Sequence, residues 1–201
     1  MPTRTINQAS QTFSEHGGIL NTRRAMRLGI APRTLYQMHD AGLLRRISRG
    51  IYQLASQDPL GNPDLVNIAL RIPGAVICLI SALHFYGITT QIPHQVYIAL
   101  PQSAEKPRLE FPPLNIIWLS KKAYIAGITT QTVDGFPIKV YSIEKTIADC
   151  FKFRNKVGND IALEALKDYL KSPAHDVNQL LTYARLDRVE VLLSRYLEAL
   201  I

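Results

Sequence analysis

Hydrophobic and polar residues alternate with a helical period in three short segments near the N-terminus. These segments cover residues 5–16, 23–28 and 32–41, and a glycine follows each of them, as is typical of helix C-termini. Pro32 opens the third segment at the helical position where its missing N–H costs nothing. The pattern therefore predicts three short helices, with Thr22 as the N-cap of the second.

The period changes after residue 42, where two β-prone runs flank a short turn. Residues 44–47 and 51–54 have the pattern of strands, and Ser48-Arg49-Gly50 joins them as a hairpin turn. Two helices separated by a glycine-containing turn and followed by a hairpin predict a winged helix-turn-helix within residues 19–54.

The pattern beyond residue 55 is mixed. A polar, turn-rich segment at residues 55–63 is the predicted linker, and the chain is predicted to be helical from about residue 142. Between them the predicted helices are 64–71 and 82–86, and the predicted strands are 95–100, 115–119, 128–133 and 138–141. The predicted fold class is α+β: a winged helix-turn-helix domain (1–55) and a mixed α/β domain (64–201) with a small sheet and a C-terminal helical bundle.

Composition supports a folded protein. The chain is 47% hydrophobic and 19% charged, which favours a buried core over disorder. The longest apolar run, residues 75–80, is far shorter than the roughly 20 residues of a membrane span. The N-terminus lacks a signal-like apolar stretch, so we expect a cytoplasmic protein with no membrane partner. Cys78 and Cys150 are expected to be buried free thiols.

The net charge of +7 is unevenly distributed. Residues 1–55 carry eight arginines, no lysine and two acidic residues, whereas residues 56–201 carry 15 basic and 14 acidic residues. Arginine suits bidentate contacts with phosphates and guanine edges. A polarised basic surface predicts a polyanionic partner, here double-stranded DNA.

The third helix is the predicted recognition helix. Arg33, Tyr36, Gln37 and Asp40 follow the i, i+3, i+4, i+7 spacing of one helix face, opposite the apolar residues. Such a stripe can span phosphate and base-edge contacts in a major groove. The alternative is an ordinary solvated helix face, which the preceding arginine-rich helix argues against.

The hairpin is the predicted wing. A basic wing commonly follows a phosphate backbone or enters a minor groove, and the alternative is a surface hairpin that happens to be basic. Together with the two helices, it completes the predicted set of DNA-binding residues. These are Arg23, Arg24, Arg27, Arg33, Thr34, Tyr36, Gln37, Arg45, Arg46 and Arg49.

Residues 121–156 form a second basic region, with seven basic residues against three acidic ones. It is predicted either to contact DNA or a protein partner, or to be a solvated face balanced by the acidic helices that follow. The candidate interaction residues are Lys121, Lys122, Lys139, Lys145, Lys152, Arg154 and Lys156.

Catalytic and metal-binding motifs are missing from the sequence. The five histidines do not pair at ligand spacing, and neither CxxC, HExxH nor a glycine-rich phosphate loop occurs. Glu144-Lys145 lies in a predicted helix with the wrong spacing for a nuclease. We therefore predict no enzyme activity, no catalytic residue, no metal and no cofactor.

Several blocks of the sequence resemble one family. Residues 17–54, with the wing signature G-L-L-x-R-x-x-R-G-x-Y at residues 42–52, look like the N-terminal winged helix of the AbiEi family. These proteins are antitoxins of bacterial abortive-infection (type IV) toxin–antitoxin systems. SALHFYGIT, VYIALP and YSIEKTIADCFKFRNKVGNDIALEALKDYL are similar to parts of the family's second domain.

The resemblance implies a function that the spacing of residues alone does not indicate. Members of the family repress their own operon by binding inverted repeats in its promoter, and they counteract a nucleotidyltransferase-like toxin without needing a stable complex with it. Repression maps to the N-terminal domain, helped by basic residues of the second domain, where antitoxicity mainly resides. The alternative is a winged-helix regulator or protein-interaction module without antitoxin activity.

Overall fold

The computed structural model describes residues 2–200, with side chains from residue 4 onward. The chain divides into two compact units. Residues up to Arg71, together with Val133–Phe136, form unit 1, and Ile72–Thr132 with the residues from Pro137 onward form unit 2. The helix at 64–71 therefore clusters with unit 1, whereas the predicted domains were residues 1–55 and 64–201.

Unit 1 combines four helices with a small antiparallel sheet. The sheet has the strand order β1-β3-β2, so the second strand of the hairpin lies in the middle. Its elements are α1 (Pro2–Glu15), β1 (Ile19–Asn21), α2 (Thr22–Arg27), α3 (Pro32–Asp40), β2 (Leu44–Ser48), β3 (Ile51–Leu54) and α4 (Pro63–Arg71).

One hydrophobic core holds unit 1 together. Phe13 of α1 and Met38 of α3 are fully buried, and Leu35 and Leu20 are nearly so. Ala9 and Phe13 of α1 face inward, at the helical spacing of the predicted segment 5–16, although the helix already begins at Pro2. Burial of these side chains, each worth roughly 1.5–3 kcal/mol when complete, fixes α3 against α1 and the sheet.

Unit 2 is a mixed sheet followed by packed helices. Its strands and early helices are β4 (Val76–Ile77), α5 (Leu79–Phe85), β5 (Val96–Pro101), β6 (Leu114–Leu119), α6 (Lys121–Ile125), β7 (Ile128–Val133) and β8 (Phe136–Tyr141). Its later helices are α7 (Ile143–Lys152), α8 (Arg154–Val157), α9 (Asn159–Lys171), α10 (Val177–Asp187) and α11 (Glu190–Leu200).

The five strands of unit 2 have the order β6-β5-β4-β8-β7. β4 is the central strand: it pairs antiparallel with β5 and parallel with β8. The sequence predicted the other four strands but missed β4, because two residues are too few to show an alternating pattern. It also missed α6, because this helix has only five residues and begins with two lysines, so no apolar period is visible.

The α+β fold class is confirmed, with the arginine-rich helices at the N-terminus and the long helices at the C-terminus. Ser142 caps α7 by accepting a hydrogen bond from the N–H of Lys145. Among residues 2–200, every helix is too short or too polar to cross a membrane.

Candidate nucleic-acid interface

Helix α2 follows β1 directly and carries three exposed arginines. Asn21 caps it, since its side-chain oxygen accepts a hydrogen bond from the N–H of Arg24 at 2.8 Å. The prediction of Thr22 as the cap was wrong. Thr22 is the first helical residue, and its hydroxyl donates to the carbonyl of Gly50 at 3.2 Å. Ala25 packs into the core, while the exposed arginines are Arg23, Arg24 and Arg27.

Helix α3 presents a polar stripe on its outer side. Pro32 occupies its first turn as predicted, and Leu35 and Met38 are buried. The exposed residues of the stripe are Arg33, Tyr36, Gln37 and Asp40, and Tyr36 is 60% exposed. The helical period that turns Leu35 and Met38 inward leaves these side chains to solvent.

Thr34 does not belong to this stripe. It is 7% exposed and lies on the inner side of α3 with Leu35 and Met38. A side chain at i relative to an inward residue at i+4 shares the inward face of the helix. The structure therefore removes Thr34 from the predicted DNA-contacting residues.

The wing is the β2–β3 hairpin with Arg49 and Gly50 at its tip. Arg46 pairs with Tyr52, and a register shift then brings Ser48 opposite Ile51. Gly50 has a φ of 76°, in the left-handed region that a residue without Cβ adopts most readily. The side chain of Arg49 is exposed at this tip.

Two adjacent arginines on β2 have different roles. The guanidinium of Arg45 donates to the carbonyl of Ala55 at 3.2 Å and also to the carbonyl of Gln57, and the side chain is half-buried. Arg46 is exposed, and its Nε lies 3.4 Å from the carbonyl of Ser48. Successive side chains of a strand point to opposite faces. Arg45 consequently holds the segment after the wing through these hydrogen bonds. We therefore remove Arg45 from the predicted DNA-contacting residues.

Eight predicted residues remain exposed, and we call them the arginine surface. They combine six permanently charged guanidinium groups with one tyrosine hydroxyl and one amide. Guanidinium groups bind phosphates or the O6 and N7 of guanine, and an amide can pair with adenine. The arginine surface consists of Arg23, Arg24, Arg27, Arg33, Tyr36, Gln37, Arg46 and Arg49.

The second basic region is dispersed in the structure. Lys121 and Lys122 are exposed in the first turn of α6, and Lys156 is exposed in α8. Lys139 is exposed, and its ammonium donates to the carbonyl of Pro73 at 3.0 Å. Arg154 is half-buried and donates to the carbonyl of Phe151 at 3.0 Å.

Lys145 is completely buried, so its prediction as an interaction residue was wrong. Its ammonium lies 2.5 Å from Oδ1 of Asp149 and 3.0 Å from Oδ2 of Asp187. The other carboxylate oxygen of Asp187 accepts from Lys152 at 2.8 Å. The Lys145 ammonium also stands 5.1 Å from the ring centroid of Tyr141. We call Lys145, Asp149, Lys152 and Asp187 the buried charge cluster.

Burial and pairing oppose each other in this cluster. Burial raises the pKa of Asp149, although the Lys145 ammonium acts to lower it. Burial also acts to raise the pKa of Asp187, but Lys145 and Lys152 outweigh it, and this pKa is lowered. The two carboxylates raise the pKa of Lys145 against the effect of burial. Lys145 therefore stays charged, because its two carboxylate partners stabilise the ammonium form despite its burial.

The described residues form no metal centre. Across residues 2–200, no three His, Cys, Asp or Glu side chains come together in a way that could hold an ion. Cys78 and Cys150 are buried free thiols, as predicted. Burial is the main cause that raises the pKa of both thiols, which keeps them protonated and unreactive.

Comparison with known proteins bears on the arginine surface. Residues 7–55 match a family described as "Transcriptional regulator, AbiEi antitoxin". Within unit 1, this segment is therefore similar to the AbiEi antitoxin regulators. The matched segment contains α2, α3 and the wing, and with them the whole arginine surface.

The fold as a whole also has a relative among solved structures. The crystal structure of the Rv2827c protein from Mycobacterium tuberculosis is similar over 94% of this chain and 79% of that one, with a TM-score of 0.56. The two sequences are 12% identical, so this likeness shows the fold alone. Comparison with curated proteins gives no match.

The two arginines of β2 provide a matched pair of variants. We expect Arg45→Ala to lower the free energy of unfolding by about 1.5–3 kcal/mol, because hydrogen bonds from a charged group to the Ala55 and Gln57 carbonyls are lost. Arg46→Ala should change stability by less than about 0.5 kcal/mol, as is usual at an exposed site. Urea unfolding of both variants measures the difference. Equal stability of the two would contradict the assignment of Arg45 to packing.

The buried charge cluster predicts a stability effect in unit 2. Asp187→Asn removes the carboxylate shared by Lys145 and Lys152, and we expect it to cost about 3–5 kcal/mol, because a buried ammonium loses a counter-ion. The control is Asp168→Asn, whose partner Lys171 is exposed, with an expected cost below about 1 kcal/mol. Chemical denaturation followed by circular dichroism compares them. A similar small loss in both variants would show that the cluster contributes little.

Proposed function

We propose that this chain is a DNA-binding autorepressor and the antitoxin of a type IV toxin–antitoxin system. The observation that carries the proposal is the arginine surface inside the segment matched by the AbiEi regulator family. Six exposed arginines lie there, and residues 1–55 contain no lysine. A surface whose positive charge comes only from guanidinium groups favours phosphate and guanine recognition over mere solubility.

In this proposal helix α3 enters the major groove. Arg33 and Gln37 contact base edges from successive turns of the helix, and Tyr36 contacts a thymine methyl group or an adjacent phosphate. The arginines of α2 bind the phosphate backbone, and Arg46 and Arg49 of the wing bind phosphates or the minor groove. The target is double-stranded DNA with inverted repeats in the protein's own promoter.

Inverted repeats imply that two copies of the chain bind one operator. Each copy places α3 in one half-site, and half-sites recur at about one helical turn, roughly 34–36 Å, or a multiple of it. The spacing of the repeats therefore follows from the geometry of the bound pair.

The antitoxin role is assigned mainly to unit 2. We propose that it opposes a nucleotidyltransferase-like toxin by acting against the toxin's effect, without a stable complex between the two proteins. The exposed lysines of the second basic region, Lys121, Lys122, Lys139 and Lys156, are the candidates for its contacts. No catalytic step is assigned to this chain.

A second candidate function is a protein-interaction module. Met26 of α2 is 53% exposed, and Leu28 just after α2 is 36% exposed, so two apolar side chains lie next to the arginines of α2. A winged helix can bind protein through such side chains, and fold alone does not decide between the two roles.

DNA binding should be strongly dependent on salt. If each copy neutralises about six phosphates through its arginines, log affinity plotted against log salt should have a slope of roughly −5 per copy. Fluorescence anisotropy with a duplex from the region upstream of the coding sequence measures this slope. A slope near zero would reject DNA binding and favour the protein-interaction module.

Two variants separate sequence recognition from backbone contact within that experiment. Gln37→Ala should reduce the preference for the promoter duplex over a shuffled duplex, because a base-edge contact is worth about 1–3 kcal/mol of discrimination. Arg49→Ala should weaken binding to both duplexes alike and make the slope less negative by about 0.9. The reverse result would exchange the proposed roles of α3 and the wing.

The antitoxin role is tested by co-expression. The proposal requires that a nucleotidyltransferase-like toxin is encoded next to this chain. Cells producing that toxin should stop growing, and the full chain should restore growth. The doubly substituted Lys121→Gln, Lys122→Gln chain should restore growth less well while still binding the promoter duplex. If the full chain, tested at equal protein level, fails to restore growth, the antitoxin proposal is wrong and autorepression stands by itself.

A further inference from the structure

The tip of the wing is held from two sides. On one side the carbonyl of Gly50 accepts hydrogen bonds from the N–H of Thr22 at 2.9 Å and from its hydroxyl at 3.2 Å. On the other side the carbonyl of Arg49 accepts a hydrogen bond from Nη1 of Arg71 at 2.7 Å. Both tip carbonyls therefore have partners from outside the hairpin.

Helix α4 supplies a second contact to the wing. Asn67 is 3% exposed, and its Oδ1 accepts a hydrogen bond from the hydroxyl of Ser48 at 2.8 Å. Asn67 and Arg71 are four residues apart and lie on one side of the helix. Their partners are consecutive, since Ser48 ends β2 and Arg49 follows it in the turn, so one side of α4 contacts the turn of the wing.

The position of Arg71 also places charge at the wing. Its side chain is exposed, and one of its nitrogens lies within hydrogen-bond distance of the Arg49 backbone. A guanidinium keeps its positive charge whatever hydrogen bonds it makes. The charge of Arg71 therefore lies at the backbone of Arg49, whose exposed side chain is the predicted phosphate contact of the wing tip.

We propose that Arg71 is part of the DNA interface, as a seventh arginine that fixes the wing tip and adds its charge beside it. This inference rests on the proposed function. Arg71 lies in α4, beyond the segment 7–55 matched by the AbiEi family and beyond the predicted linker. The DNA-binding unit is thus longer than the matched domain and includes α4.

Holding the tip in place favours binding for an entropic reason. A loop that is ordered before binding loses less conformational freedom when it meets DNA. If Arg71 is replaced, the Arg49 carbonyl loses this partner and the tip gains freedom, while the surface loses one positive charge. The first change weakens affinity at every salt concentration, and the second makes the salt dependence shallower.

The test uses the full chain and two duplexes of equal length, one from the region upstream of the coding sequence and one with the same bases shuffled. The variants are Arg71→Gln, which removes the charge, and Arg71→Lys, which keeps it. The matched control is Arg195→Gln, which removes an exposed arginine from α11 in unit 2. Thermal melting of each variant checks that unit 1 remains folded.

We expect Arg71→Gln to weaken binding several-fold on both duplexes and to make the salt slope less negative by about 0.9. Arg71→Lys should keep the wild-type slope but still bind a few-fold more weakly, because the shorter lysine side chain does not bring its ammonium to the position that Nη1 of Arg71 occupies at the Arg49 carbonyl. Arg195→Gln should behave like wild type. If Arg71→Gln melts early, the weaker binding of Arg71→Lys at an unchanged slope carries the test instead.

Two results would overturn the inference, and they differ in what else they overturn. If wild type and Arg49→Ala differ in affinity as proposed but Arg71→Gln and Arg71→Lys both match wild type, only the role of Arg71 fails. If the wild-type chain binds neither duplex in a salt-dependent way, the proposed function fails and the inference fails with it.

Discussion

Backbone pairing between β1 and β3 is the constraint on which the structure of unit 1 depends. The register places Asn21 opposite Ile51, and the next N–H, that of Thr22, donates to the carbonyl of Gly50. Helix α2 therefore begins where the wing turns, and Asn21 serves both as a strand residue and as the cap of the helix. Because β3 is the central strand, a displacement of the wing tip would also displace the start of α2 and the hairpin.

The same residue type has opposite roles at neighbouring positions. Arg46 remains on the surface, whereas Arg45, one residue earlier, donates to backbone carbonyls of the segment that follows the wing. Alternation along β2 turns the two side chains to opposite faces of the strand, and the later segment meets only the side chain of Arg45. A count of arginines measures the charge of unit 1 but not how much of this charge is exposed to a partner.

Lysine shows the same division in unit 2. Lys121 and Lys122 are exposed on a short helix, while Lys145 is buried between two carboxylates. The pair Lys145–Asp187 links α7 to α10, which are far apart in the sequence. Such a buried pair stabilises the fold only while all its members are present, since removal of one leaves an unpaired charge in the interior. The basic residues within 121–156 accordingly have separate roles in the structure, some exposed and others buried.

The sequence alone determined the local features of this protein. The periods of the apolar residues and the glycines at segment ends indicated α1, α2, α3 and the hairpin, because these signals act within a few residues. The restriction of excess charge to residues 1–55 and the inward spacing of Leu35 and Met38 are likewise properties of the chain itself.

Tertiary structure decided which polar side chains stay at the surface. Thr34 and Lys145 looked accessible in the sequence, yet both are buried in the folded chain. Lys145 pairs there with Asp187, 42 residues further along the chain. Arg71 seemed to belong beyond a linker, but folding brings it to the tip of a wing 22 residues earlier. Spacing rules reach one or two turns along a helix or strand, whereas burial and pairing depend on which segments meet, and only the folded chain settles that.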